Sequence, residues 1–130
     1  TVGWCGQLKG IGGLLYRAVN SSIGARLRVG GVLSRLGLFE RVRLSPEGND
    51  FDHLRRLTET LIGGGHTLFN LSFHSSSLAA GNTPYVRSDA DLRRFTGTIE
   101  RYFDFFFGAL GGQPATPGAV RALAAVGARP

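Results

Sequence analysis

The sequence predicts an α/β fold, namely part of a (β/α) barrel in which parallel strands are flanked by helices. From Glu40 to His74 the residue pattern runs strand, helix, strand, and such units almost always place their two strands in parallel. The second predicted strand alternates polar and apolar residues up to His74, where a serine-rich loop begins. Because parallel strands end at the same edge of a sheet, where α/β proteins bind ligands, we expect a functional site at this edge.

Composition divides the chain into two regions. Residues 1–39 form a glycine-rich, basic lead-in, and residues 40–130 form the predicted barrel domain. Within the lead-in, leucine and valine residues among arginines over 24–39 predict an amphipathic helix that is interrupted at Gly30-Gly31. The basic face of this helix suits a membrane surface or nucleic acid, although the outer layer of a barrel is the interpretation that we favour.

The strand–helix–strand unit has clear boundary signals. Its first strand covers Glu40–Leu44 and ends at the turn Ser45–Gly48, where proline removes a backbone donor and glycine permits a tight bend. Asp50 is placed to cap a helix whose apolar residues recur every three or four positions, until three glycines at 63–65 end it. The second strand is Leu68–Phe73, with polar residues facing the barrel interior and apolar residues facing the helices.

The remainder of the chain predicts a long loop and two helices. Residues 75–87 show no periodicity, and loops of this length inside a domain are often binding loops. Ser88 and Asp91 fit a capping box that starts a helix over 89–110, and Thr116-Pro117 starts a last short helix. The aromatic face of helix 89–110 is wider than one stripe, so we expect it to pack against two neighbours or against a partner.

Composition narrows the functional classes. The chain has 130 residues, of which 42% are hydrophobic, and this is enough for a packed core. No apolar run is long enough to cross a bilayer, and the single Cys5 cannot form an internal disulfide. The net charge is +6, but the arginines are scattered and Lys9 is the only lysine, so nucleic-acid binding is not expected. The location stays open between the cytoplasm and the cell envelope.

His74 is the first candidate for chemistry, because a histidine at a ligand-binding edge can donate or accept a proton near neutral pH. Glu47 follows the first strand at the same edge, where it would orient His74, contact substrate or bond to nearby backbone. Ser75, Tyr85 and Arg87 are candidate substrate-binding residues in the long loop. Tyr85 suits stacking on a sugar ring and Arg87 suits an anion, while the alternative for Tyr85 is to pin the loop to the body.

Metal-binding patterns are missing from the sequence. There is no H-x-x-x-H, no H-E-x-x-H and no cysteine pair, and the three histidines are not spaced as a zinc site requires. Nucleotide-binding loops and a G-x-S-x-G elbow are missing as well. The chain begins at Thr1 and contains no methionine, so we expect further residues before Thr1 and an incomplete catalytic set here.

Four separated segments carry a resemblance to a known family. They are Arg43–Gly48, Leu71–Leu78, Gly81–Arg87 and Tyr102–Phe106. In this order the segments resemble the C-terminal portion of polysaccharide deacetylase-like (NodB-homology) proteins, and the resemblance covers roughly the last two thirds of the chain.

The resemblance implies a distorted (β/α) barrel that hydrolyses N-acetyl groups on a carbohydrate substrate. It also implies a divalent metal, with zinc expected, held by an Asp and two His of early motifs that have no match in this chain. The late family motif is a strand ending in Leu-x-His, and Leu71 to His74 follows it with a spacing one residue longer. By this resemblance, His74 would be the general acid that protonates the leaving amine. The alternative is a non-catalytic module that binds glycan or a partner protein in cell-envelope polysaccharide synthesis.

Overall fold

The computed structural model describes residues 1–5 and 40–127. This part of the chain contains three α-helices and one two-stranded antiparallel sheet, and none of its strands run parallel. The elements are β1 (Val2–Cys5), β2 (Glu40–Arg43), α1 (Phe51–Gly63), α2 (Asp89–Phe103) and α3 (Pro117–Gly127). The predicted α/β barrel is therefore wrong, since the described part is mostly helical. The helix predicted over 24–39 lies outside the described residues.

The sheet joins the start of the lead-in to the first residues of the region that follows it. β1 pairs antiparallel with β2, so that Val2 lies opposite Arg43 and Gly3 lies opposite Val42. Val42 is buried and Arg43 is exposed, as the alternation of a half-buried strand requires. A Cβ atom on Gly3 would lie 2.7 Å from Leu57 Cδ1, so the missing side chain allows the sheet to rest directly on α1.

The segment Leu68–Phe73 is extended but is not a strand of a sheet. Its alternation is real, since Phe69 and Phe73 pack inward against Phe106 and Phe95, at ring-centroid distances of 5.6 and 5.5 Å. Its backbone makes isolated bonds instead of a ladder, and one of them joins Ser72 N to Leu44 O at 3.2 Å. The prediction failed because alternation reports an extended backbone and says nothing about a backbone partner.

The helix boundaries follow the predicted signals. Asp50 caps α1 by accepting from the His53 backbone N–H at 3.0 Å, and Gly65 adopts a positive φ of 84° beyond the helix end. Ser88 and Asp91 form the predicted capping box at the start of α2. Thr116 Oγ1 accepts from Ala119 N at 3.2 Å and so caps α3.

α2 does not continue to residue 110 as an α-helix. It gives way to a π-helical segment, Asp104–Ala109, and Gly111 at φ 67° ends the helical run. The wider turn directs Phe105 toward Phe51 of α1 and Phe106 toward Phe69, so that the aromatic residues reach two neighbours. This arrangement accounts for the wide aromatic face seen in the sequence.

The core lies between the sheet, α1 and the C-terminal half of α2. Its buried residues are Val42, Leu44, Leu54, Leu57, Leu61 and Tyr102. One polar link crosses it, because the Tyr102 hydroxyl lies 3.0 Å from Thr58 Oγ1. Thr58 already donates to Leu54 O at 2.9 Å, so Tyr102 is the donor in this pair. Burial raises the pKa of Tyr102 and the bond to Thr58 opposes that rise.

We predict that Thr58→Val lowers the free energy of unfolding by about 1–3 kcal/mol, because the valine leaves the buried Tyr102 hydroxyl without an acceptor. Denaturant titration of the 130-residue chain measures this loss. The matched control is the double variant Thr58→Val, Tyr102→Phe, which removes donor and acceptor together and should recover part of the stability. Equal stability of Thr58→Val and the wild type would contradict the assigned bond.

Candidate functional site

The candidate site is built on the turn that follows β2. Ser45 is buried, at 2% exposure. Its hydroxyl oxygen accepts a hydrogen bond from the Glu47 backbone N–H at 3.2 Å, and its backbone carbonyl accepts one from Asn49 Nδ2 at 3.0 Å. Gly48 closes the turn at a φ of 81°, a conformation that favours glycine. The turn thereby fixes the backbone from which the Glu47 side chain extends.

Glu47 and His74 are in contact through two hydrogen bonds. The His74 backbone N–H donates to Glu47 Oε1 at 2.9 Å, and His74 Nδ1 lies 2.8 Å from Oε2. The Glu47 side chain is only 6% exposed, whereas the His74 side chain is 75% exposed. A carboxylate can only accept, so Nδ1 carries a proton and Nε2 is the ring nitrogen left to exchange a proton with solvent or a substrate.

Ser77 completes the surroundings of the carboxylate. It belongs to the 3₁₀ turn Ser75–Leu78, which begins directly after His74, and its own N–H donates to His74 O at 2.9 Å. Its hydroxyl donates to Glu47 Oε1 at 2.6 Å and lies 3.2 Å from Thr83 Oγ1. Ser77 is fully buried, so its hydroxyl is held in place by these partners.

The electrostatics of the site follow from these contacts. Burial raises the pKa of Glu47, but the hydrogen bonds from Ser77 and from the backbone and ring of His74 outweigh burial and lower the pKa below its ordinary value. Glu47 is therefore an anion at neutral pH, and its charge lies beside the imidazole. This is the arrangement by which a carboxylate orients a histidine for proton transfer.

Of the other predicted residues, Ser75 and Tyr85 lie near the Glu47–His74 pair and Arg87 lies at the start of α2. Ser75 is exposed, one residue after His74. Tyr85 is half exposed, and its Cε1 lies 3.7 Å from the position that a Gly48 Cβ would occupy, so its ring lies against the Glu47 turn. Arg87 is also exposed, but its Nε donates to Pro84 O at 3.1 Å and its N–H donates to Asp91, which places it at the start of α2.

His74 also departs from its predicted surroundings. We expected the ring in a polar barrel interior at the edge of a parallel sheet, and it instead lies on the surface after an extended segment. The expected neighbour Glu47 is present for a different reason, since the bond from Ser72 to Leu44 brings the two chain segments side by side.

The sequence did not lead us to predict Ser77 and Thr83 as site residues. The only signal was the three-residue spacing from His74 to Ser77, which is one 3₁₀ turn.

Metal ligands are not grouped in residues 1–5 and 40–127. No set of three or more His, Cys, Asp or Glu side chains there is arranged to hold a metal ion. The helices of the same ranges also include none that is long and apolar enough to span a bilayer.

A separate apolar groove lies beside the core residues Leu44 and Tyr102. Its volume is about 790 Å³, and its walls come from the segment 66–71, the π-helical segment and α3. Phe103 and Phe107 stand at its edge, 43% and 40% exposed, with their ring centroids 5.6 Å apart. These residues form the exposed part of the aromatic cluster around α2.

Comparisons of this chain with protein-family models, with curated proteins and with solved structures found no significant match. The family resemblance of its motifs accordingly stays a prediction.

We predict that Glu47→Gln lowers the free energy of unfolding by about 1–2 kcal/mol at pH 7, because the amide replaces an ionised acceptor. The folded-state pKa of Glu47 is lowered, so its stabilisation is complete above the ordinary pKa of a glutamate side chain. It is lost as the pH falls through the lower folded-state pKa.

Denaturant titrations of both proteins between pH 3 and pH 7 measure this difference. Glu59→Gln, at an exposed position of α1, is the matched control and should differ little from the wild type throughout. A stability difference for Glu47→Gln that stays constant down to pH 3 would contradict the assignment.

Proposed function

We propose that this chain is the C-terminal portion of a carbohydrate N-deacetylase in which His74 is the general acid. The observation that carries the proposal is the contact between a buried carboxylate and an exposed imidazole, Glu47 Oε2 to His74 Nδ1 at 2.8 Å. The motif resemblance supports the same conclusion, because it assigns that role to His74 independently of the geometry. A fixed ring with an accessible Nε2 is what proton delivery to a bound substrate requires.

In the proposed reaction, the oxygen of a water molecule bonds to the acetyl carbon and the carbon–nitrogen bond breaks. The nitrogen takes a proton from His74 Nε2 and leaves as the free amine of the sugar, while acetate is the other product. Glu47 holds the Nδ1 proton and offsets the positive charge of the imidazolium before transfer. The attacking water releases its two protons to solvent as acetate forms, and a proton from solvent restores the ring.

The proposal includes a divalent metal, with zinc expected, as the resemblance implies. Three ligands of the required kind are not grouped among the described residues, so those residues do not fit a metal centre. The ligands would come from outside this part of the chain. The contribution proposed for the present residues is confined to binding the substrate and moving the proton.

The exposed residues around His74 would contact the sugar. Tyr85 presents an exposed ring beside the Glu47 turn and suits stacking on a sugar ring, and Ser75 suits a hydrogen bond to a hydroxyl group. Arg87 lies farther along the loop with an exposed guanidinium, where it suits an anionic substituent.

We predict that His74→Ala lowers kcat of the intact protein by about 10²–10⁴-fold with little change in KM. The reason is that the substitution removes the proton donor and leaves the substrate-binding residues in place. Acetate release from N-acetylglucosamine oligomers measures the rate.

His66→Ala is the matched control, because His66 is also exposed but lies at the end of α1. It should retain the wild-type rate. An unchanged rate for His74→Ala would reduce His74 to a surface residue, and failure of the intact wild-type protein to release acetate would refute the proposed activity.

The second candidate function is a non-catalytic module that binds glycan or a partner protein. The apolar groove favours it, because exposed aromatic side chains beside a concave surface are typical of interaction sites. On this alternative, the intact protein binds oligosaccharide without releasing acetate, and the double variant Phe103→Ala, Phe107→Ala reduces binding in calorimetric titration. Val2→Ala, an exposed apolar residue of β1, is the control and should bind normally. Binding unaffected by the double variant would exclude the groove.

A further inference from the structure

We propose that Ser77 and Thr83 are positioning residues that hold the Glu47 carboxylate in the orientation that His74 requires. The catalytic consequence of this proposal rests on the proposed function, but the positioning itself does not. Neither residue touches the exposed edge of the imidazole, so both would act through Glu47.

The direction of each hydrogen bond follows from the number of hydrogens available. The Glu47 carboxylate can only accept, so the hydroxyl hydrogen of Ser77 points to Oε1 at 2.6 Å. Ser77 then has no hydrogen left for Thr83, and Thr83 must be the donor across the 3.2 Å between their hydroxyl oxygens. The result is a directed chain of bonds from Thr83 through Ser77 to Glu47.

The two oxygens of the carboxylate have different surroundings. Oε1 accepts from the buried Ser77 hydroxyl and from the His74 backbone, whereas Oε2 faces the exposed imidazole. Since one of the two donors to Oε1 is the fully buried Ser77 hydroxyl, rotation of the carboxylate would break that bond and leave the hydroxyl without its acceptor. Oε2 is therefore held toward Nδ1.

Thr83 is itself anchored to the core. It faces Val86 in an isolated antiparallel bridge, with Val86 N donating to Thr83 O at 3.3 Å and Gly81 N donating to Val86 O at 2.9 Å. Val86 is fully buried. The position of the imidazole is thereby tied to a core residue of the loop, through Thr83, Ser77 and Glu47.

The first experiment measures the pKa of the Glu47 carboxylate by carbon NMR in the 130-residue chain. We expect Ser77→Ala to raise this pKa by about one unit, because a hydrogen bond to the charged form is lost. Thr83→Val should raise it by less, and Thr83→Ser, which keeps the hydroxyl, should restore the wild-type pKa. An unchanged Glu47 pKa in both Ser77→Ala and Thr83→Val would overturn the proposal. If Ser77→Ala does not fold, the Glu47 pKa in Thr83→Val alone tests it.

The second experiment measures kcat for acetate release by the intact protein. Ser77→Ala should lower kcat about tenfold with KM unchanged, and it should have no further effect when combined with Glu47→Gln, because it acts through that carboxylate. Additive losses in the double variant would overturn this coupling. If the Glu47 pKa shifts in these variants but the intact protein releases no acetate, the positioning role is supported and the proposed activity is refuted. The failure of the positioning role is therefore distinguishable from the failure of the proposed activity.

Discussion

The buried carboxylate of Glu47 is the interaction on which the candidate site depends. Burying a charged side chain to 6% exposure costs free energy unless hydrogen-bond donors surround it. Here the donors are the Ser77 hydroxyl and the backbone and ring of His74. These donors come from a segment 27 or more residues farther along the chain, so the carboxylate also ties the turn after β2 to the loop after the extended segment. If the carboxylate were removed, the Ser72–Leu44 backbone bond and the apolar contacts would still join the two segments, but the imidazole would lose the partner that orients it.

The core brings the two segments to the same place. Ser72 N bonds to Leu44 O, and Glu47 lies three residues after Leu44 while His74 lies two residues after Ser72. The inward-facing aromatic residues hold the extended segment there, because Phe73 packs on Phe95 of α2. A small helical domain thereby presents the exposed His74 imidazole on a base that is fixed by backbone bonds and aromatic packing.

Local signals in the sequence were sufficient for the helices and insufficient for the sheet. The caps at Asp50 and Ser88 were predictable because a side chain three residues from its backbone partner needs no distant information. The pairing of β2 with β1 was not predictable from local signals, since it joins residues separated by a long stretch of chain. The π-helical segment was also missed, because five of the six residues from Tyr102 to Phe107 are aromatic, and such a run has no periodicity that would reveal a change of helix type. Glu47 and His74 were expected to be neighbours at the edge of a parallel sheet, and they are neighbours instead because isolated backbone bonds and aromatic packing place the extended segment beside Leu44.

The central claim is that the ionised Glu47 carboxylate holds His74 by its Nδ1 proton. Nitrogen-15 NMR of the histidine rings tests this most directly, because protonated and unprotonated ring nitrogens differ strongly in chemical shift. At a pH where the ring is neutral, we expect His74 to carry its proton on Nδ1 and to convert to the other tautomer in Glu47→Gln. The account would be contradicted if neutral His74 in the wild type carried its proton on Nε2, or if the tautomer were the same in the wild type and in Glu47→Gln.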